Sequence, residues 1–88
     1  MEILKSASAG TLESSDAYVE ISPADSLNLE IESVVKAQFG EEIEKAVLEV
    51  LDECGIDKAQ VRVVDRGALE CVIRARVEAA AMRVKEAK

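Results

Sequence analysis

The sequence has no histidine and no tryptophan, and Tyr18 and Phe39 are its only aromatic residues. Without histidine it lacks the commonest general base and the commonest metal ligand. Serines are plentiful, yet a Ser-His-Asp hydrolase is excluded. The two cysteines, Cys54 and Cys71, form neither a CxxC pair nor a metal-ligand spacing. They read as buried small hydrophobes in a cytoplasmic protein. No apolar run approaches the roughly 20 residues of a membrane span. The segment Met1-Glu2-Ile3-Leu4-Lys5 lacks the basic start and long apolar stretch of a secretory signal. Gly/Ser linkers and low-complexity tracts are absent as well.

At 88 residues the chain is expected to form one domain, 1–88. A domain this short buries only about 60–65% of its unfolded surface, which argues against a deep pocket and for work done at the surface. Against 18 acidic residues stand 11 basic ones, a net charge of −7. Nucleic acid and anionic membrane are poor partners for such a surface. The charge is uneven: residues 1–55 carry −10 and residues 56–88 carry +3. Docking faces of opposite sign are one consequence of such a split, and two solvated faces the plainer one.

Residues 5–16 are small and polar and read as an extended N-terminal arm or a weak edge strand. Ala17, Val19 and Ile21 alternate with Tyr18 and Glu20. After the turn signal Ser22-Pro23-Ala24-Asp25, Leu27, Leu29 and Ile31 alternate with Asn28, Glu30 and Glu32. This predicts a hairpin with one buried face. Phe39, Ile43, Ala46, Val47, Val50, Leu51 and Cys54 then recur at helical spacing. Gly40 weakens the start of that helix, Ser33 is a candidate cap for the turn before it, and Gly55 suits its C-terminal end. Val61, Val63 and Val64 mark a strand, Asp65–Ala68 a turn, and Leu69, Cys71, Ile73, Ala75 and Val77 a second alternating strand. The stretch from Val77 to Lys88 reads as a helix, with Val77, Ala80, Ala81 and Val84 as its apolar stripe. The expected fold is therefore α+β, a two-layer sandwich in ββα-ββα order. An antiparallel sheet of two hairpins carries two helices on one face.

Four features are candidates for chemistry. Ser14 lies in Thr11-Leu12-Glu13-Ser14-Ser15-Asp16. No base is available to make it a nucleophile, but an exposed serine among small neighbours can serve as an attachment point. The chemistry of the residues alone is equally that of a solvated loop. Ser26, in Asp25-Ser26-Leu27, matches the attachment motif of phosphopantetheine carriers, and Phe39–Ile43 resembles the sequence that follows their first helix. The period of two after Ser26 makes it the opening of a strand, and a turn residue. Arg74 and Arg76 share one face of the expected second strand, where they would grip phosphates or a partner's carboxylates, or line a solvated face. Glu41, Glu42, Glu44, Glu49, Asp52 and Glu53 form the wet side of the first helix and lack the loop-type spacing of a divalent-ion site. No metal is expected.

Three blocks add a further indication: Ala9-Gly10-Thr11-Leu12-Glu13-Ser14-Ser15-Asp16, Gln38-Phe39-Gly40-Glu41, and Gly67-Ala68-Leu69-Glu70-Cys71-Val72-Ile73-Arg74-Ala75-Arg76-Val77. Together they resemble the acyl carrier family of citrate lyase, its gamma chains, over nearly the whole length. The resemblance implies a non-catalytic carrier domain. Its arm would bear a covalent phosphoribosyl dephospho-coenzyme A group, joined by a phosphodiester to the serine of Thr-Leu-Glu-Ser, here Ser14. That group would hold acetyl and citryl thioesters while citrate is cleaved to acetate and oxaloacetate. The implied partners are the alpha (acyl transferase) and beta (citryl lyase) subunits and a prosthetic-group transferase, and the −10 region would be a face for their basic patches. The substrate stays open between citrate and a close relative such as citramalate. Two other readings of the residues stay open too, an unmodified assembly module and a phosphopantetheine carrier through Ser26.

Overall fold

The alternating runs at residues 17–21 and 27–32 become strands, and the period-3.6 run that follows becomes a helix. A computed structural model describes the backbone of residues 5–33 and 36–86 and the side chains of residues 5–33 and 40–85. Along it follow β1 (Ala7–Gly10), β2 (Ala17–Ser22), β3 (Leu27–Ser33), α1 (Lys36–Glu53), β4 (Ala59–Asp65) and α2 (Glu70–Glu86). The order is thus βββαβα. The four strands form one mixed sheet in the order β1-β2-β4-β3.

This corrects the expectation of two antiparallel hairpins. β2 and β3 are not neighbours, because β4 lies between them, antiparallel to β2 and parallel to β3. Burial explains the placement. Ala59, Val61 and Val63 of β4 are fully buried and Val64 nearly so, which suits a central strand. β3 carries Glu30 and Glu32, and its Leu29 and Ile31 are only half-buried, which suits an edge. A parallel pair needs a crossover, and α1 supplies it.

The second correction concerns residues 69–77, which open α2 instead of forming a strand. The buried positions are Ile73, Val77, Ala80, Ala81 and Val84, at spacings of three and four. Leu69 is 72% exposed, and Ala75 and Cys71 are exposed as well. The expectation that both cysteines are buried therefore fails at Cys71, while Cys54 is half-buried against the core.

α1 starts at Lys36 and runs through Gly40, which does not delay it. Ser33 ends β3, donating its hydroxyl to Asp65 at 2.7 Å. Phe39, expected on the apolar stripe, has a side chain outside the described residues. So do residues 1–4, 34–35 and 87–88 as a whole, including the last two residues of the expected C-terminal helix. α1 ends in a Schellman motif. The Gly55 N–H donates to Asp52 O at 3.0 Å and the Ile56 N–H to Leu51 O at 3.0 Å. Gly55 takes the required positive φ, +73°. Ile43, Val47, Val50 and Leu51 of α1 and the α2 stripe join Val19, Ile21, Val61 and Val63 in one apolar core on a single face of the sheet. The two helices are locked together outside that core by Arg74, which pairs with Glu49 of α1 at 2.7 Å and with Glu70 at 3.6 Å.

Candidate functional site

Residues 5–16 do not form a free arm. Ala7–Gly10 pair with Tyr18–Ile21 as an edge strand, and residues 11–16 form the β1–β2 loop. Ser14 lies in that loop, exposed, and its hydroxyl makes no hydrogen bond to another described residue.

The loop is braced on three sides. Within it, the Thr11 hydroxyl donates to Asp16 Oδ2 at 2.6 Å and the Asp16 N–H to Glu13 O at 3.2 Å. Against α2, the Arg76 guanidinium donates to Asp16 from Nε at 3.0 Å and from Nη2 at 3.1 Å, a two-pronged pair. Against the β4–α2 connection, the Ser15 N–H donates to Arg66 O at 2.8 Å and the Arg66 N–H to Asp16 O at 3.0 Å. Ser15 meets this geometry in the left-handed region, φ +66°, a conformation that costs an L-residue about 1–2 kcal/mol.

The brace sets the ionisation of Asp16. The Thr11 hydroxyl first, then Arg76 and the Ala17 N–H, hold its carboxyl down to about 2 from the ordinary 3.8. The folded state thus prefers the charged form. The resulting stabilisation is complete above pH 3.8 and is lost as pH falls from there through about 2. A carbon-13 titration of the Asp16 carboxyl is expected to show a midpoint near 2, moving toward 3.8 in Thr11→Val and Arg76→Ala. An ordinary midpoint in the unaltered chain would contradict the brace.

Asp65 organises the same end of the sheet from inside. It is 1% exposed, and its Oδ1 accepts the N–H groups of Gly67 at 3.0 Å and Ala68 at 2.7 Å. With Ser33 on Oδ2, one carboxylate ties the ends of β3 and β4 to the connection leading into α2.

Ser26 sits elsewhere. It precedes β3, as its sequence context predicts, and its carbonyl accepts the Ala59 N–H at 3.2 Å. Ala59 begins β4, whereas the Ser14 loop is fixed beyond the strand's last residue, Asp65. At ~3.3 Å per residue the two serines lie against opposite ends of a strand roughly 20 Å long.

Arg74 and Arg76 do not share a strand face. Being on a helix, they diverge, one to Glu49 and the other to Asp16. On α1, Glu41, Glu42, Glu44, Asp52 and Glu53 are exposed and Glu49 is half-buried. Among the described residues no group of three or more His, Cys, Asp or Glu side chains could hold a metal ion, and no helix is long and apolar enough to cross a membrane. A cleft of about 290 Å³ between the starts of the helices is lined mainly by Ile43, Ala68, Leu69 and Ile73, with Glu42 and Glu70. Sequence reasoning missed Thr11 and Arg66 as parts of the site, and the brace that Asp16 makes with Thr11 and Arg76. The carboxylate of Asp16 close after Ser14 was the available signal, but its partner lies 60 residues away.

Comparison with known proteins gives consistent findings. Residues 4–84 match the family model described as malonate decarboxylase delta subunit (MdcD). A citrate lyase acyl carrier protein of Haemophilus influenzae is 59% identical over 86 residues, covering 98% of this chain and 90% of that protein. One of Escherichia fergusonii is 56% identical over 88 residues, covering 98% and 91%. Among solved structures, a chain in the crystal structure of a Pseudomonas malonate decarboxylase hetero-tetramer in complex with malonate has a TM-score of 0.77 at 20% identity. It covers 91% of this chain and 84% of its own, a likeness of fold.

Proposed function

The chain belongs to the citrate lyase acyl carrier protein family, and on that footing we propose that Ser14 is the residue through which it carries. As an acyl carrier of citrate lyase it is a non-catalytic subunit, and a carrier of this kind works through a prosthetic group. The proposed group is of the phosphoribosyl dephospho-coenzyme A type, joined to Ser14 Oγ by a phosphodiester. When bound, such a group supplies long reach and a terminal thiol on which acyl groups travel.

One observation supports Ser14 above all: an exposed hydroxyl with no partner among the described residues, on a loop held by Asp16, Arg76 and Arg66. The residues present fit the group. A bulky appendage at this position meets solvent, and the brace lies beside the serine without engaging it. The chain contains no histidine base, so drawing the proton from the Ser14 hydroxyl falls to the transferase that installs the group. Holding the loop still narrows the directions in which the arm leaves the surface and raises the effective concentration of its end at partner sites. The whole chain, 1–88, acts as one carrier domain. Its attachment segment is the loop 11–16.

The proposed partners are the alpha acyl transferase and beta citryl lyase subunits, in the cytoplasm, with citrate as substrate. The exposed acids of α1 are the face offered to basic patches on those subunits. The test is reconstitution. Loaded chain added to alpha and beta subunits is expected to restore citrate cleavage, and unloaded chain to leave it at background. Restoration weakens with salt as the screening length drops from about 10 Å at 0.1 M to about 3 Å at 1 M. Equal restoration by unloaded chain would make the protein an assembly module.

A further inference from the structure

The structure holds five arginines among its described residues, and four of them are engaged by the protein. Arg62 pairs with Glu32, Arg74 with Glu49 and Glu70, Arg76 with Asp16, and Arg83 donates to the Ser8 carbonyl. Arg66 alone has a guanidinium with no partner among the described residues, and it is exposed. Its backbone is the opposite case. Both its N–H and its C=O are spent on the Ser14 loop, at Asp16 O and Ser15 N. The one arginine without a partner among the described residues is therefore fastened, through its main chain, beside the proposed attachment serine.

We propose that Arg66 is a phosphate-binding residue, whose guanidinium pairs with the phosphodiester carried on Ser14 and sets the direction in which the arm leaves the loop; this rests on Ser14 being the attachment point. The charges of the loop favour it. Asp16 is already neutralised by Arg76, so it does not compete for Arg66. Glu13 adjoins Ser14 and repels an anion, which turns the phosphate away from its own side of the loop. A planar, permanently charged fork fits a phosphate with two parallel hydrogen bonds, which an ammonium cannot reproduce. The pair is exposed, so its strength depends on salt. Arg66 is a positioning residue: it touches the linkage, not the acyl end.

The test uses chain co-expressed with its modifying enzymes, with the added mass first located on the Ser14 peptide. In nitrogen-15 spectra the Arg66 Nε–Hε resonance is expected to differ between loaded and unloaded chain, while that of Arg62, in mid-β4 and paired with Glu32, stays in place. The difference shrinks by about half or more between 0.1 M and 1 M salt. In phosphorus-31 spectra the diester resonance shifts in Arg66→Ala and not in Arg62→Ala. Neither substitution removes a backbone hydrogen bond of the loop. A loaded chain with an unmoved Arg66 resonance and an unmoved phosphorus signal in Arg66→Ala overturns the proposal and leaves Ser14 as carrier. A missing mass increment on the Ser14 peptide overturns both.

Discussion

Ser14→Ala is expected to leave citrate cleavage by the reconstituted complex at background while the chain folds unchanged. The substitution removes one exposed oxygen that no other described residue hydrogen-bonds. Surface changes of this kind stay within about 0.5 kcal/mol of neutral. Function responds on another scale. Tethering an acyl group close to a partner's site raises its local concentration enough to increase avidity by about 10²–10⁴-fold, and a chain that cannot be loaded forfeits all of it. Activity assays in parallel with thermal melts separate the two effects. A folded Ser14→Ala chain retaining more than about a tenth of normal activity would remove Ser14 from the mechanism.

Gly10→Ala is expected to fail for the opposite reason, through the fold. Gly10 ends β1 with φ +95°, and a Cβ there would stand 1.8 Å from the Ala17 carbonyl oxygen and 3.1 Å from Arg76 Cδ. The first obstacle is backbone. It cannot yield cheaply, because Ala17 is fully buried and paired with Asp65 of the central strand. The second is the stem of the side chain that pins Asp16. A loss of about 3 kcal/mol or more follows from conformational strain plus collision. Gly55 serves as the control: its φ is +73° but nothing lies within 4 Å of a Cβ built there, so Gly55→Ala loses only about 1–2 kcal/mol. Urea midpoints of the two variants check the ranking. Equal losses would mean that φ alone, and not the approach of β1 to β2, governs Gly10.

What could be read in the sequence was what local period encodes. The alternation of Ala17, Val19 and Ile21 and that of Leu29 and Ile31 identified strands correctly, and the spacing of Ile43, Val47, Val50 and Leu51 identified α1. Strand neighbours could not be read this way. Nothing within residues 17–33 says that β4 will insert between β2 and β3. That choice belongs to the sheet as a whole, which puts its most apolar strand at the centre. Residues 69–77 satisfied both periods, because Ile73 and Val77 are apolar in either. Burial of Ala80, Ala81 and Val84 on the same stripe decides for the helix. Of the two readings of residues 5–16, arm or weak edge strand, Ala7–Gly10 take the second. Four small residues, Ala7–Gly10, suffice for an edge strand when a partner strand is waiting.

The site divides along the same line. Ser14 was indicated by a resemblance across three blocks of sequence. Its brace was not, since Asp16 meets Arg76 and Ser15 meets Arg66 only after the sheet and α2 have assembled. Long-range contacts of that kind leave no mark on local pattern. The misassigned strand hid them further, because it aimed Arg74 and Arg76 in one direction when the helix sends them apart.

The measurement that bears most directly on the carrier role is peptide fragmentation of chain co-expressed with its modifying enzymes, after an intact mass. The expected result is a nucleotide-containing increment on the peptide that holds Ser14, with the peptide holding Ser26 unaltered. An increment on Ser26, or a chain that stays at its unmodified mass, would contradict it.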